Sequence, residues 1–399
     1  MYALVDCNNF FASCEMVFNP KLEKVPLVIL SNNDGCIVAR SSKAKALGIK
    51  MGDPAFLYKN RKDIVMMSAN FALYSDMSAR VMQTLSHFSP DIEIYSIDEA
   101  FFSLEQGIKY IDKCTEISKI IHKWTGISVS IGAAPTKTLA KLSSEIGKKE
   151  KGVFVLTQNE IPQLLSNTSI SEIWGIGQNL TSKLKQKGIY TAAQLANADD
   201  IWIQKLIGVT GFRTVLELRG IPCFEINETP EKKKSIVCSR SFGQKITELA
   251  PLQEAVASFA VSAAEKLRSQ QSLAGFISVF ISTNQETSTC HIHLPNATSD
   301  TPELISLAKQ GAAKLFREGP YRKAGVMLAN FTEEDQSDFI TEPKRKKPGA
   351  MKVLDEINAR YDKPMIRFAA EGIGQNWKSR RDRSSPKFTT SWDDLLKIV

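Results

Sequence analysis

The stretch "YSIDEAF", residues 95–101, places an acidic pair inside a run that otherwise suits a buried strand. Along a regular strand Asp98 and Glu99 would point to opposite faces, so both can serve one site only if the chain turns at about residues 96–99. A tight hairpin tip meets that requirement. Adjacent carboxylates repel and raise each other's pKa unless a cation neutralises them, and oxygen-rich sites suit Mg²⁺.

The opening strand "YALVDC", residues 2–7, contains a third acid. Its alternation puts Asp6 on the same face as Tyr2 and Leu4. With Asp6 as a third ligand, the sequence is compatible with a site for two Mg²⁺ ions. The short acidic motif alone fits an exposed hairpin tip equally well, so the surrounding sequence has to decide.

Composition limits the class of protein. The chain has 399 residues, of which 43% are apolar, and this is enough for two or more domains with substantial cores. Its formal net charge of +8 favours a polyanionic partner, either nucleic acid or an anionic membrane. The sequence contains no run of about 20 apolar residues and no signal-peptide pattern at the start, which predicts a cytoplasmic protein. Its seven cysteines include no CxxC pair and are predicted to be reduced thiols.

The order of the patterns predicts several units. The run "DKCTEISKIIHKW" (112–124) has helical spacing and lies between two strand-like runs, which predicts an α/β layer around the acidic pair. Residues 160 to about 230 have the character of short helices with glycine turns. A second α/β pattern from Ile236 to about Phe331 predicts a separate small domain. The final basic, Pro- and Ser-containing residues predict a peripheral or partly disordered extension.

Seven short motifs follow one another along residues 1–331: "ALVDCNNFFASCE", "SNNDGCIVARSSKAKALGIKMGDP", "YSIDEAFFSL", "GAAPTKTLAKLSS", "WGIGQNLTSKLKQKGI", "CSRSFG" and "KAGVML". In this order and spacing they resemble the Y-family translesion DNA polymerases, and together they are far more specific than any one motif. The resemblance implies an error-prone, template-dependent DNA polymerase of the SOS damage response. It also implies an α/β and α+β multidomain fold with the right-hand polymerase architecture.

The resemblance implies a division of the chain into palm, small fingers, helical thumb and α/β little finger. The expected units are the palm at 1–10 and 71–159, the fingers at 11–70, the thumb with a helix-hairpin-helix at 160–228, a linker at 229–235, the little finger at 236–331 and a C-terminal extension for partner binding at 332–399.

Catalytic and metal-binding roles are carried over by the same resemblance. Asp6, Asp98 and Glu99 are expected to be the catalytic carboxylates and to hold two Mg²⁺ ions. The backbone carbonyl of Cys7 is expected to complete the shell of one ion. The two ions would make the closeness of the acids favourable.

Nucleotide contacts are expected on two segments. Phe11 matches the steric-gate position, where an aromatic ring leaves no room for a 2′-hydroxyl, and Phe10 is included with it among the nucleotide-binding residues. Core packing beside Phe10 is the alternative for Phe11. Ser42 and Lys45 stand at triphosphate-contact positions where relatives often have tyrosine and arginine, and lysine offers a point charge instead of a bidentate fork. Lys148 matches a second triphosphate lysine, with membership of a solvated lysine run as its alternative.

DNA contacts are expected in two other units. Gly175 and Gly177 match the turn of a helix-hairpin-helix, where backbone N–H groups approach a DNA phosphate, and Lys183 would add charge. A tight helix–helix turn is the alternative for this motif. Arg240 in the little finger is a further expected phosphate contact, although it could equally be an exposed strand residue.

Protein partners are implied for the C-terminal part. The segment "QSDFI" is a degenerate version of a sliding-clamp peptide, with Gln336, Phe339 and Ile340 as its expected contacts. An ordinary linker is the alternative. The resemblance also implies a processed UmuD-type dimer and a RecA filament as partners, besides primer-template DNA and deoxynucleoside triphosphates.

Two rival hypotheses compete with a polymerase. A nucleotide cyclase also uses two Mg²⁺ ions and paired acids, but it would need neither the helix-hairpin-helix nor the little finger. A non-catalytic DNA-binding descendant would have no physical reason to keep repelling acids together.

Overall fold

The structure of the chain is a computed structural model that describes residues 1–150, 152–227, 229, 231–333, 348–361 and 365–395. Across these residues the chain forms three β-sheets and a set of helices. None of the helices in the described ranges has the length and apolar character needed to cross a membrane.

The strands are numbered in chain order: β1 (Tyr2–Cys7), β2 (Leu27–Leu30), β3 (Ile37–Arg40), β4 (Val65–Ser68), β5 (Ile92–Ile94), β6 (Glu99–Ser103), β7 (Val129–Ala134), β8 (Val153–Val155), β9 (Ser235–Ile246), β10 (Ser272–Ser282), β11 (Thr287–Thr298) and β12 (Tyr321–Glu333). The α-helices are α1 (Phe10–Phe18), α2 (Ser42–Ala46), α3 (Phe71–Leu85), α4 (Tyr110–Thr125), α5 (Lys137–Lys149), α6 (Ile161–Asn167), α7 (Gln178–Lys185), α8 (Ala192–Ala196), α9 (Asp200–Leu218), α10 (Leu249–Ser269), α11 (Thr301–Leu315) and α12 (Pro348–Ala359).

The first sheet has five strands in the order β5-β6-β1-β7-β8, so the opening strand is central. β1 runs antiparallel to both β6 and β7. Ala3, Val5 and Cys7 enter a core with helices α3 and α4, whereas Leu4 and Phe101 enter a second core with α5 and the helices that follow. Because β1 is buried on both faces, apolar residues occur along most of its length.

Two smaller units flank this sheet. The second sheet, β3-β2-β4, has a small core of its own, formed mainly by β2 and the segments around α2. The third sheet is entirely antiparallel, in the order β11-β10-β12-β9, and α10 and α11 pack on one of its faces. Helices α6 to α9 form the unit between the first and third sheets, as the glycine-rich turns at 160–230 predicted.

The C-terminal segment corrects one expectation. Residues 365–395 were predicted to be peripheral, but within them Trp377 is buried against Phe242 and Phe259 of the third-sheet unit. Helix α12 is tied to α10 by an ion pair between Arg268 and Asp355, with N–O distances of 2.6 and 2.8 Å. The basic, Pro- and Ser-rich composition was misleading because a few aromatic anchors and backbone hydrogen bonds are enough to hold this segment.

All seven cysteines are free, as their number and spacing predicted. Cys7, Cys14, Cys114 and Cys238 are buried. Burial raises the pKa of the Cys114 thiol to about 12. The Cys114 thiol therefore stays protonated and acts as a small apolar core group.

Candidate active site

Three acids meet at one end of the central strand pair. Asp6 on β1 lies directly opposite Glu99 on β6. The Cys7 N–H donates to the Asp98 carbonyl at 2.8 Å, which holds the turn before β6 against the end of β1. Asp6 is buried, and Asp98 and Glu99 are half-buried. The structure therefore brings together the three acids that the sequence singled out.

The turn predicted at residues 96–99 is confirmed. The N–H groups of Tyr95 and Ser96 both donate to the Glu99 carbonyl, at 3.0 and 3.1 Å, and this closes the tip of the β5–β6 hairpin. The Ser96 hydroxyl donates to Asp98 Oδ1 at 2.7 Å. Because the strand does not continue through Asp98, this residue and Glu99 are not forced onto opposite faces.

Two lysines of helix α5 neutralise the acids. Lys148 Nζ lies 2.7 Å from Asp6 Oδ2, and it also contacts Glu145. Lys141 Nζ lies 2.9 and 3.0 Å from the two carboxylate oxygens of Glu99. Ammonium groups thus occupy the positions around these carboxylates where a cation is electrostatically favoured.

Burial dominates the electrostatics of Asp6. The pKa of Asp6 is raised to about 7, mainly by burial and less by the Glu99 carboxyl, while the hydrogen bond and charge of Lys148 act in the opposite direction. Burial by itself would lower the pKa of Lys148, but its hydrogen bonds to Asp6 and Glu145 leave that pKa above its usual value. Asp6 is therefore an acid that needs a cation beside it in order to stay ionised at neutral pH.

The donor set suits a divalent cation with oxygen ligands. In the part of the chain that the structure describes, no three Asp, Glu, His or Cys side chains are already arranged to hold a metal ion. Lysine side chains pair with Asp6 and Glu99 instead. Carboxylate oxygens with no nearby thiolate pair or imidazole favour a hard ion such as Mg²⁺, and the residues present fit such an ion once the lysines withdraw.

The two phenylalanines that begin helix α1 have different environments. Phe10 is buried in the main core, with its ring centroid 5.9 Å from that of Phe11, and its place among the nucleotide-binding residues stays a prediction. Phe11 is half-buried, and its ring stacks on Tyr74 with centroids 4.5 Å apart and an angle of 13°. Asn9 precedes the helix in the left-handed conformation, with φ at 51°. An accessible ring backed by another ring can limit the space beside it.

The segment around helix α2 lies next to the acids. Ser42 Oγ accepts a hydrogen bond from Asn9 Nδ2 at 3.1 Å, which links the start of α2 to the start of α1. Lys45 is exposed, and its pKa is lowered by partial burial and then by the positive charges of Arg40 and Lys148. Lys45 therefore lies close to two other cations, and a group of positive charges of this kind favours a multivalent anion.

The residues predicted to contact DNA belong to other elements of the fold than the three acids. Gly175 has φ at +85°, and an added Cβ would lie 3.3 Å from Thr214 Oγ1. Gly177 directly precedes helix α7, and an added Cβ there would meet open space. Lys183 is exposed and donates to the Leu206 carbonyl, and Arg240 is exposed on β9. These positions remain predictions for DNA binding.

The sequence analysis missed Lys141, which lies beside Glu99, and Arg40, whose charge acts on Lys45. Lys141 is seven residues before Lys148 on α5, a spacing of two helical turns that puts both on one face, and it lies inside a quoted motif. That spacing could have identified it. Arg40 is the last residue of β3. It was overlooked because other residues of the fingers motif matched the triphosphate-contact positions. The clamp residues Gln336, Phe339 and Ile340 lie outside the described residues.

Comparison with protein families gives three matches along the chain. Residues 5–145 match the impB/mucB/samB family, and residues 233–339 match the C-terminal domain of that family. Residues 349–398 match a domain of unknown function. The first two matches include all three acids, α1, α2, α5 up to Glu145, and the third sheet.

Similar proteins cover the whole chain. Protein UmuC of Salmonella typhimurium is 40% identical, over 100% of both chains. Protein MucB of Escherichia coli is 39% identical over 99% of both chains, and DNA polymerase IV of Bacillus velezensis is 27% identical over 92% of both.

Solved structures share the fold. A chimera of the Y-family DNA polymerases Dbh and Dpo4 matches with a TM-score of 0.69 at 21% identity, over 83% of this chain and 99% of that one. An insertion ternary complex of Dbh DNA polymerase matches with a TM-score of 0.55 at 22% identity, over the same shares. At these identities the likeness concerns the fold.

Proposed function

Because this chain belongs to the Y-family DNA polymerases, in the group of UmuC, ImpB, SamB and MucB, we propose a specific site and chemistry for its translesion synthesis. It is a DNA-directed DNA polymerase that acts on DNA and deoxynucleoside triphosphates. The observation that carries the proposal is the meeting of Asp6, Asp98 and Glu99 at the end of the β1–β6 pair, with two lysines against them.

The three acids are proposed to hold two Mg²⁺ ions together with the Cys7 carbonyl. When bound, such ions lower the pKa of the primer 3′-hydroxyl and stabilise the charge that develops on the leaving pyrophosphate. The chain contributes the rigid positions of the acids. β1 and β6 fix Asp6 and Glu99 through their ladder, and the Ser96 hydroxyl orients Asp98.

Lys148 is proposed to exchange partners when the nucleotide binds. Its ammonium group now pairs with Asp6, and the charges of Lys148 and Arg40 both lower the pKa of the nearby Lys45. A triphosphate offers Lys148 a new anionic partner when a cation takes its place at Asp6. In this proposal Lys148 of helix α5 provides a phosphate contact, and the same side chain is the counter-ion of Asp6.

Replacing Lys148 by alanine tests this exchange. Loss of a charge-assisted contact of about 1.5–3 kcal/mol predicts a rise of about tenfold or more in the KM for deoxynucleoside triphosphates. The expected loss in kcat is smaller, because the acids stay in place. Steady-state primer extension with one template and a varied nucleotide measures both constants.

The neighbouring lysine provides the matched control for Lys148. Lys149→Ala removes the same charge from an exposed position on the same helix, and no ion pair of Lys149 is found in the described ranges. Its KM should stay within about twofold of wild type. Equal increases in the two variants would show that only the net charge of the helix matters, and Lys148 would lose its assigned role.

Phe11 is proposed to select the sugar. The Phe11 ring stacks on Tyr74 and packs edge to face against Phe71, with centroids 4.5 and 5.8 Å away. These contacts resist displacement of the ring by a bulkier sugar. A ribose 2′-hydroxyl in van der Waals contact with the ring would force one of the two to move. Deoxynucleotides are therefore expected to be preferred.

Bypass activity is tested by primer extension across an abasic template site. Purified full-length protein is assayed with Mg²⁺, first alone and then with a processed UmuD-type dimer and a RecA filament. Extension past the site supports the proposed bypass role and the proposed partners. Extension on undamaged template but none past the site under any condition would contradict the bypass role, while the polymerase assignment would stand.

The remaining partners and the cellular location are also proposals. A UmuD-type dimer, a RecA filament and an SOS role are supported by full-length similarity to UmuC and MucB. The sliding clamp rests on the sequence "QSDFI" alone. We propose a cytoplasmic location because that is where a bacterial polymerase meets its DNA.

A further inference from the structure

The segment at residues 377–388, here called the C-terminal strap, connects three units of the molecule. It begins on the third-sheet unit, where the Trp377 ring is buried and the Gly243 N–H donates to the Trp377 carbonyl at 3.1 Å. The Ser379 hydroxyl donates to the Ser241 carbonyl at 2.9 Å. The approach is close, because a Cβ on Gly243 would lie 2.3 Å from the Lys378 carbonyl oxygen.

The strap then crosses the small second sheet. The Arg380 N–H donates to Asn33 Oδ1 at 2.9 Å, and the Asn33 amide donates to the carbonyls of Ser241 and Phe242 at 3.2 and 3.1 Å. Farther along, Ser68 at the end of β4 exchanges two hydrogen bonds with Arg383, of 3.1 and 3.0 Å. Backbone pairing of this kind fixes the register of the strap.

The end of the strap reaches the unit formed by the first sheet and the helices packed on it, here called the catalytic unit. The Asn70 amide donates to Ser385 Oγ at 2.9 Å and to the Pro386 carbonyl at 3.1 Å. The Ser385 hydroxyl donates to Glu15 Oε1 at 3.1 Å. The Phe388 ring stacks on Phe18 at 4.9 Å, with an angle of 6° between the rings. Asn70 thus orients the same hydroxyl that reaches Glu15.

Glu15 joins the strap to the ring beneath Phe11. Its side chain is on α1 and is only 1% exposed. The Tyr74 hydroxyl donates to the same Oε1 atom at 2.7 Å, and the Tyr74 ring carries the stacked ring of Phe11. A continuous series of contacts therefore runs from Ser385 through Glu15 and Tyr74 to Phe11.

A buried carboxylate makes these contacts strong. Hydrogen bonds to a charged group are stronger than neutral ones, and a buried carboxylate that loses a donor must find another or shift. The donors available at Glu15 Oε1 are the hydroxyls of Ser385 and Tyr74. If Ser385 is removed, Glu15 can relax toward the space left, and the Tyr74 ring can follow it.

We propose that Ser385 is a positioning residue for sugar selection, acting through Glu15 and Tyr74 on the ring of Phe11. This inference rests on the proposed function of Phe11 and deepens it. The C-terminal strap, which lies within the domain of unknown function, then completes a pocket more than 300 residues away in the chain. Ser385 touches neither sugar nor phosphate in this scheme.

The ratio of kcat/KM for a deoxynucleotide to that for the matching ribonucleotide measures the effect. Both constants come from one preparation, so a variant that is only partly folded gives the same ratio as a fully folded one. Ser385→Ala and Tyr74→Phe each remove one hydroxyl donor to Glu15, and each is expected to lower the ratio about three- to tenfold. Ser385→Thr keeps the hydroxyl and is expected to restore the wild-type ratio.

Two further variants separate the possible failures. Phe11→Ala should lower the ratio by about tenfold or more, since it removes the ring itself. Ser379→Ala breaks a different strap contact, to the Ser241 carbonyl, and should leave the ratio unchanged. Assays use the full chain under the partner condition in which the wild type extends primers best.

Each outcome decides one point. A normal ratio in Ser385→Ala beside a reduced ratio in Phe11→Ala would overturn the inference and leave the role of Phe11 intact. A normal ratio in Phe11→Ala would remove the steric-gate assignment and the inference with it. Equal losses in Ser379→Ala and Ser385→Ala would show that the strap acts as a whole, which contradicts the specific path through Glu15.

Discussion

Asp98→Ala is expected to lower the rate of primer extension by about a thousandfold or more, because several kcal/mol of transition-state stabilisation depend on the cations that this carboxylate is proposed to hold. Asp98 is held at the hairpin tip by the Ser96 hydroxyl, and its removal leaves the β1–β6 ladder untouched. Affinity for primer-template DNA should not fall, because removing a negative charge does not weaken binding to a polyanion. Single-turnover extension and a DNA-binding titration measure the two effects.

An exposed acid nearby provides the control for Asp98. Glu105→Ala removes a carboxylate from the loop that follows β6, and its extension rate should stay within about twofold of wild type. Full activity in Asp98→Ala would place the chemistry elsewhere. If neither the wild type nor the variant extends a primer under any partner condition, while both bind DNA equally well, the non-catalytic rival hypothesis replaces the polymerase site.

Gly132→Ala is expected to destabilise the catalytic unit by about 3 kcal/mol, at the upper end of the range for overpacking in a core. Gly132 lies on β7 under helix α5, and an added Cβ would be 2.0 Å from the Ser144 nitrogen and 2.4 Å from the Ala140 carbonyl oxygen. Both atoms belong to the helix backbone, so the whole helix would have to move. Urea unfolding followed by circular dichroism gives the change in midpoint.

Helix α5 itself offers the control for Gly132. Gly147 is buried in the same helix, but the nearest atom to an added Cβ is the Gly152 carbonyl oxygen at 3.4 Å, an ordinary contact. Alanine there should be neutral or stabilising by up to about 1 kcal/mol, from helix propensity. An unchanged midpoint in Gly132→Ala would mean that the helix does not pack this closely. Lys141 and Lys148 would then lack the rigid support described above.

The acids and their strands could be predicted from the sequence because each signal is local. The alternation in residues 2–7 and the need for a turn within "YSIDEAF" follow from strand geometry over a few residues. The resemblance then supplied the pairing of these segments, which no local pattern contains. The family match excludes the nucleotide cyclase hypothesis, because it continues through residues 233–339, which a cyclase would not need.

Other features could not be predicted because their partners are distant in sequence. Phe10 and Phe11 are adjacent phenylalanines on one helix, and the side that each presents depends on where α1 packs. The strap was missed because it is held by backbone groups and by short side chains such as Asn70 and Ser385. Such contacts leave no periodic pattern in the sequence.

The central position of β1 has a consequence for biosynthesis. Its two neighbours, Glu99–Ser103 and Val129–Ala134, are made roughly 100 and 125 residues later, which takes on the order of 5 to 25 s at typical rates of translation. During that interval β1 has both edges unpaired, and an unpaired apolar edge favours association with other chains. We therefore expect the nascent chain to need protection from association in the interval between the synthesis of β1 and that of β7.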